Sequence, residues 1–459
     1  MSWQIAQQAV RFDSYRGRTR SPLYAAAGEF GSSTMNGAAL LADLGARGLL
    51  HDTTDADALV QRLDAAPTPA YCGFDPTADS LHIGNLQSIM LLRRLQRAGH
   101  PPIALVGGAT GMIGDPSGRT DERQFLDQDV LDANRASIGE QLRGLLDFDD
   151  GPHAARLVDN RTWTEPMGVL EFLRDVGKHV TVNTMLAKES VKGRIERESG
   201  ISFTEFSYML LQANDYFALH RDHGCDLQVA GSDQWGNITA GIDLIRRRTG
   251  DTVHGLTAPL ITRADGTKFG KSEGANVWLS AERTSPYQLY QYFVGVADAD
   301  VEPMLLRLTA VDVAECRSVA DAHHAQPGRR DGQRRLAREL LTLIHGPDVV
   351  DPVERAAGVL FGGPLDDVDR PTFELLAAEI PTTTLQRDAV IGADPLDSFA
   401  SSGLAKSKGE VRKNLAGHYV NGVSLAERSA VPFAESDLLH GQFVVLRRGK
   451  TSYHLLDVR

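Results

Sequence analysis

The chain has 459 residues, a formal net charge of -12, 42% hydrophobic and 24% charged residues. That length holds two or three domains with a large core, and the ordinary composition excludes a disordered or fibrous protein. The acidic balance excludes non-specific nucleic-acid binding over the whole surface, though not local basic patches. Cys72, Cys225 and Cys316 are far apart and odd in number, so neither a disulfide framework nor a zinc site is expected, and a reducing cytoplasm fits. No apolar run reaches the length of a membrane span.

Residues 1–34 carry Arg11, Arg16, Arg18 and Arg20, few acids and a Gly/Ser-rich end. They read as a disordered leader or extension outside the fold, of transit-peptide or appended character. Residues 36–64 are helical, with Leu40, Leu41, Leu44, Leu49 and Leu50 as the apolar positions. A short buried strand follows at Ala70–Phe74, bounded by Pro69 and Asp75-Pro76. After a turn-rich segment, His82-Ile83-Gly84-Asn85 opens a helix that Gly99 and Pro101-Pro102 stop. Strand, Gly-containing loop and helix N-terminus suit an anionic ligand, with Gly84 allowing close approach and His82 adding a donor. Taken alone, the same residues describe an ordinary strand-turn-helix whose histidine caps the helix.

Further strands are expected at 103–106, 227–230 and 256–261. Strands separated by long helical stretches predict a doubly wound parallel α/β sheet, with ligands at the carboxyl ends of its strands. Gly107 to Arg119, GGATGMIGDPSGR, is a close-approach loop in which Asp115 starts a turn or meets a ligand. Residues 160–205 form a mostly helical insertion. In the helix over 203–218, Phe206, Met209, Leu210, Ala213 and Phe217 share one face, and Tyr208, Gln212 and Asp215 share another. By pattern this is a surface helix with a polar outside. If that face lines a pocket instead, Tyr208, Gln212 and Asp215 offer fixed hydrogen-bond partners to a polar ligand. Gly231-Ser232-Asp233-Gln234-Trp235 follows a strand and opens another helix, with Asp233 as a possible N-cap. Lys268-Phe269-Gly270-Lys271-Ser272 sits in a polar Gly-rich segment; alone it is a solvated basic loop, and near a polyphosphate it delivers positive charge.

Residues 286–362 are expected to be all-helical, 363–393 a polar linker, and 394–459 a small α+β module. In that last module Lys and Arg outnumber Asp and Glu, and Lys406, Lys408, Arg412 and Lys413 cluster on one helix and its entry, as phosphate binding needs.

Five segments in order, YCGFDPTADSLHIGN, VGGATGMIGDPSGR, ISFTEFSYMLLQANDY, VAGSDQWGNITAG and DGTKFGKSEG, resemble the bacterial tyrosyl-tRNA synthetases, a class I aminoacyl-tRNA synthetase family. The resemblance runs from Met35 to the C-terminus, and the end of the chain is similar to the RNA-binding module of the ribosomal protein S-four type. It implies a Rossmann-like catalytic domain over 35–285, a helical anticodon-side domain, and a homodimer formed through the insertion, with tRNA(Tyr) crossing both subunits. The implied reaction is adenylation of L-tyrosine by ATP, with Mg²⁺ accompanying the nucleotide and no protein-held metal, followed by transfer to the 3′ end of tRNA. Residue by residue, Tyr71 and Asp215 take the phenol hydroxyl. Asp115, Tyr208 and Gln212 take the ammonium, and Gln234 lies near the carboxylate. Gly73, Asp75, His82, Gly84, Asn85, Gly231 and Asp233 bind ATP. Thr77 and His82 hold the leaving pyrophosphate from one side, and Lys268, Lys271 and Ser272 close on it from the other.

Asn85 stands where the family often has His, and Ser272 where Thr is common. A tryptophanyl-type enzyme is the nearest alternative, against which Tyr71 and Asp215 argue because an indole has no hydroxyl. A non-catalytic RNA-binding protein on the same fold would not need His82, Lys268 and Lys271. A nucleotidyltransferase for a small molecule would leave the basic C-terminal module unexplained.

Overall fold

The computed structural model describes residues 35–117, 126–149, 151–195, 200–262, 271–272, 275–365, 368–428 and 431–459. The 1–34 extension and Lys268 lie outside these residues, and of Lys271 and Ser272 only the backbone is described. The described residues divide into two compact units, one of those up to 283 and from 297 to 332, the other of those from 284 to 296 and from 333 to 459.

The first unit opens with two short helices, Gly37–Ala46 (α1) and Ala56–Ala65 (α2), either side of Asp52–Thr53 (β1). Ala70–Phe74 (β2), Ile83–Arg97 (α3), Pro102–Val106 (β3), Gln128–Leu145 (α4) and Arg156–Asp159 (β4) follow. Four short helices fill the insertion: Arg161–Thr164 (α5), Val169–Asp175 (α6), Val182–Leu186 (α7) and Glu189–Ile195 (α8). Then come Phe203–His223 (α9), Leu227–Gly231 (β5), Trp235–Thr249 (α10), His254–Ala258 (β6), and a two-stranded hairpin of Lys271–Ser272 (β7) and Ala275–Asn276 (β8).

The main sheet runs β1-β6-β5-β2-β3-β4, parallel except for β1, which pairs antiparallel with β6. Its order reverses between β2 and β5, the place where a doubly wound sheet opens a crevice at its carboxyl edge. β2, β3, β5 and β6 are buried nearly throughout because helices cover both faces, which explains their unbroken apolar runs. The four expected strands are present. β1 and β4 were not expected: each is short, and β4 has a charged residue at either end.

Helix α3 is more deeply buried than its sequence pattern implies. Arg93, Arg94, Gln87 and Gln96 are all buried on it. Each spends its donors on backbone carbonyls: Arg93 on Leu145, Gln87 on Pro259, Gln96 on Asp147 and His153. Arg94 reaches the carbonyls of Leu306 and Thr309 at 3.2 and 2.6 Å, and Arg47 those of Leu306 and Val311 at 3.3 and 2.9 Å. Burial pulls Arg94 down to about 9. The far end of α3 is thereby fixed to the end of Val301–Leu308 (α12), while its N-terminus opens on the crevice.

Helices Pro286–Val294 (α11), Asp331–His345 (α14) and Val350–Leu360 (α15) belong to the second unit, α14 from Gln333 on, whereas α12 and Val313–Ala325 (α13) belong to the first. The stretch 286–362 is helical as expected, but its helices are shared between the units. Residues 363–393 are not a plain linker. They carry Arg370–Glu379 (α16), capped by Asp369 with Pro371 in its first turn, and Thr382–Leu385 (β9), which pairs in parallel with Ser452–Val458 (β13). Pro371 therefore starts a helix here. The second unit's sheet has the order β11-β10-β12-β13-β9, where β10 is His418–Val420, β11 Val423–Ser424 and β12 Phe443–Arg448. Val444, Leu446 and Leu456 face one core with Phe399 and Val411; Phe443, Val445 and Leu455 face another with Phe373 and Val359. A sheet apolar on both faces needs covering on both, and α15 and α16 supply the second layer.

Two histidines, His100 buried and His345 half-buried, make stability depend on pH. Burial holds His100 in the first unit and His345 in the second down at about 4. His100 Nδ1 accepts from Thr68 N–H at 3.1 Å, a bond that protonation at that nitrogen destroys. Unfolded histidine titrates near 6.5, so below that pH the unfolded chain binds protons the folded one refuses. The melting temperature is expected to fall as pH drops from about 6.5 towards 4, and His100→Asn should flatten part of that slope in the first unit's transition.

Candidate active site

A cavity of about 630 Å³ opens at the carboxyl edge between β2 and β5. It is lined by every described residue expected to bind tyrosine or ATP: Tyr71, Gly73, Asp75, Thr77, His82, Gly84, Asn85, Asp115, Tyr208, Gln212, Asp215, Gly231, Asp233 and Gln234. These come from the ends of β2 and β5, the start of α3, the loop after β3 and the middle of α9. The polar face of α9 settles which helix it is. Tyr208 is 6% and Asp215 2% exposed, so this face points into the molecule, not to solvent.

At the floor, the Asp215 carboxylate accepts from Asn160 Nδ2 at 2.9 Å and from Trp163 Nε1 at 2.8 Å, one donor to each oxygen. Burial pushes its pKa up to about 7 despite those two bonds. Opposite stands Tyr71, whose hydroxyl is buried and has no hydrogen-bond partner among the described residues. Its pKa is raised by burial and then by the Asp215 charge. Gln228, in register with Tyr71 on the neighbouring strand, has a buried side-chain oxygen likewise without a partner. A buried phenol hydroxyl left unpaired is costly, and the cost is removed when a ligand brings a complementary group.

The wall towards α3 is a connected network. Asn160 gives its second amide hydrogen to Thr110 Oγ1 at 2.9 Å, and Thr110 donates to Asp75 at 2.8 Å. Tyr208 donates its hydroxyl to the other Asp75 oxygen at 2.9 Å. With its hydrogen so committed, the Tyr208 oxygen faces the cavity as an acceptor. Gly107 makes room for this: a Cβ there would sit 2.1 Å from Asp75 Oδ1.

A second chain runs from Lys188 Nζ to Asn237 (2.6 Å), from Asn237 to Gln234 Oε1 (2.8 Å), and from Gln234 Nε2 to Asp115 (2.6 Å). Gln234 thus orients Asp115, and Lys188 balances the acidic wall from behind. Cys72 lines the cavity too, but burial pushes its thiol up to about 12, so it stays protonated and inert.

At the mouth, His82 precedes the first turn of α3, and Asn85 Oδ1 accepts its backbone N–H at 3.0 Å. The residue that departs from the family pattern therefore caps the helix. The imidazole folds back over Gly84, where a Cβ would lie 2.9 Å from His82 Cε1. Thr77 sits in the exposed turn between β2 and His82, its N–H donating to the Asp75 carbonyl at 2.8 Å.

A family model described as class I tRNA synthetases (W and Y) matches residues 64–362, and one for the C-terminal domain of tyrosine–tRNA ligases matches residues 372–456. The tyrosine–tRNA ligase of Opitutus terrae is 50% identical over 423 residues, covering 91% of this chain and 99% of that one. The chain belongs to the class I tyrosyl-tRNA synthetases.

A Mycobacterium sp. (strain JLS) tyrosine–tRNA ligase is 48% identical over 416 residues, covering 90% of this chain and 97% of its own. A C-terminally truncated mitochondrial tyrosyl-tRNA synthetase from Aspergillus nidulans superposes with a TM-score of 0.64 at 34% identity, covering 70% of this chain and 94% of that one. The enzyme is accordingly a tyrosine–tRNA ligase. Within this synthetase, the floor partners Asn160, Trp163 and Thr110 escaped the sequence reading, as did Gln228, Lys188 and Asn237. Asn160 and Trp163 fall in the stretch read as a helical insertion, and their side chains hold the Asp215 carboxylate. The missed signal was β4: its carboxyl end delivers Asn160 to the crevice as those of β2 and β5 deliver Asp75 and Asp233.

Of the expected tRNA contacts, Lys406, Arg412 and Lys413 are exposed. Lys408 is ion-paired with Asp397 and is the least available of the four.

Proposed function

We propose that the cavity binds tyrosine with its ring against the floor and its hydroxyl between Tyr71 and Asp215. The phenol donates to the ionised Asp215 and accepts from Tyr71, which ends the isolation of the Tyr71 hydroxyl. That unpaired buried hydroxyl, lining the same cavity as a carboxylate already held by two donors, is the observation that carries the reading. The α-ammonium is held by Asp115, Gln212 and the Tyr208 oxygen, with Gln234 keeping Asp115 in place. ATP lies across Gly73, Asp75, Gly84, Asn85, Gly231 and Asp233 at the helix N-terminus.

The tyrosine carboxylate oxygen attacks the α-phosphorus. The bond to the bridging oxygen breaks, and pyrophosphate leaves with the electron pair. Thr77 and His82 meet the departing charge from one side and Lys268, Lys271 and Ser272 from the other. Mg²⁺ comes with the ATP phosphates and shares their charge. The enzyme acts by positioning and needs no covalent nucleophile, and the aminoacyl group then passes to the 3′ end of tRNA(Tyr). Lys406, Arg412 and Lys413 receive RNA phosphates in the C-terminal module, with Lys408 a weaker contact. The place of action is the cytoplasm.

ATP–pyrophosphate exchange without tRNA tests the pocket. Exchange with tyrosine alone is expected. Exchange with tryptophan would reassign the specificity, and exchange with none of tyrosine, phenylalanine and tryptophan would sink the adenylation reading.

We also infer a homodimer through the insertion. Val169, Leu170 and Phe203 are 75%, 82% and 76% exposed, beside exposed Leu173, Val182 and Ile195. Large apolar side chains left exposed on four successive helices, α6 to α9, are the mark of an interface. Leu170→Glu with Phe203→Glu is expected to give a monomer by analytical ultracentrifugation at micromolar concentration; an unchanged mass would place the interface elsewhere.

A further inference from the structure

The segment after the β7–β8 hairpin is stitched to the His82 loop. Ile83 N–H donates to Val277 C=O at 2.9 Å, and Leu279 N–H donates to Leu81 C=O at 2.8 Å, bracketing an antiparallel bridge between His82 and Trp278. The His82 and Trp278 rings lie 6.2 Å apart, tilted by 60°. Trp278 also lines the cavity. Its other neighbour is the Arg283 guanidinium, 4.8 Å from the ring centroid, which in turn pairs with Asp79 in the turn before His82. Asp79 is itself anchored, its carbonyl accepting from Ser137 Oγ at 2.6 Å, and Ser280 N–H donates to Ser80 Oγ at 3.1 Å.

The result is a closed strut of described residues. Asp79 and His82 stand three positions apart on one segment, Trp278 and Arg283 on the other, and the two are joined by backbone bonds, a ring contact, a cation–π contact and an ion pair. An exposed ion pair alone contributes little, but one that closes a ring of other contacts acts with them. His82 lies at the edge of the cavity, where its ring has to keep one orientation over Gly84 to meet the leaving pyrophosphate.

We propose that Trp278, held by Arg283 and Asp79, is a positioning residue that sets the His82 imidazole for tyrosine activation. The proposal rests on the reading of His82 as a pyrophosphate contact.

The test is a double-mutant cycle in ATP–pyrophosphate exchange on the full chain, with melting temperature as control. His82→Ala comes first: if it leaves exchange intact, the reading of His82 fails before the strut is judged. Given a loss there, Trp278→Leu is expected to lower kcat and raise KM for ATP, together about tenfold, with KM for tyrosine unchanged; in the His82→Ala background the same substitution should cost less than about twofold. Arg283→Asp and Asp79→Arg should each reproduce part of the loss, and the two together should recover the share that the ion pair carries but not the share of the cation–π contact. Trp278→Phe should retain most activity, and if Trp278→Leu does not fold, Trp278→Phe with Arg283→Gln completes the cycle. Equal costs in both backgrounds, an equal rise in KM for tyrosine, or no rescue by the charge swap would each overturn the proposal.

Discussion

Replacing Asp215 with Asn should lower kcat/KM for tyrosine by about a hundredfold and erase most of the preference for tyrosine over phenylalanine. A hydrogen bond to a charged group contributes about 1.5–3 kcal/mol, roughly ten- to a hundred-and-fifty-fold in rate. The amide is also the wrong isostere. Asn160 and Trp163 each direct an N–H at a different oxygen of Asp215, so either orientation of an Asn amide sets one N–H against another. The variant therefore loses the acceptor for the phenol and disturbs the floor that aims it. The same carboxylate predicts a pH profile. Only the ionised form accepts the phenol proton while Tyr71 donates, and burial raises this group to about 7. In the free enzyme kcat/KM for tyrosine should rise with pH through a single ionisation near 7, and Asp215→Asn should be flat there. The sign is opposite for stability: a carboxyl raised on folding is most comfortable protonated, so this group's contribution is lost as pH rises from about 4 to about 7. A rate profile without that inflection would mean that another group controls tyrosine capture.

His82→Ala should lower kcat for exchange by roughly a hundred- to a thousandfold, the usual cost of removing one donor aimed at developing charge. The tyrosine KM should scarcely move, because the floor of the pocket is untouched. Gly84→Ala should mimic much of this loss without removing the imidazole. The new Cβ would come within 2.9 Å of the His82 ring, so the ring has to swing away. Loss in both variants with intact tyrosine binding would locate the effect in the transition state. A rise in tyrosine KM of the same size as the fall in kcat would contradict it.

Much of this enzyme is legible from order and spacing alone. Ala70–Phe74 reads as a buried strand because it is apolar on both faces, and it is one. His82 and Gly84 at the start of a helix carry their own chemical meaning, since a helix N-terminus attracts anions whatever surrounds it. The Tyr208, Gln212 and Asp215 face is visible as a polar stripe, but a stripe has the same period whether it meets water or a ligand. Only the covering of α9 by the sheet and insertion shows that Tyr208 and Asp215 are buried.

The rest depends on contacts between residues far apart in the chain. Asn160 and Trp163 show no periodic signal, and they matter because β4 lies at the sheet edge and delivers them to Asp215. The division of 286–362 between two units, and the pairing of β9 with β13, follow from which apolar faces remain to be covered after the sheets form. The strut of Asp79, Trp278 and Arg283 joins residues about two hundred positions apart in the sequence. Local sequence determined the four buried strands of the main sheet, the helix starts and the chemical types at the crevice, because these follow from short-range sterics and periodicity. Tertiary structure decided which polar groups are buried together, and so which proton each one holds and which ligand group it can meet.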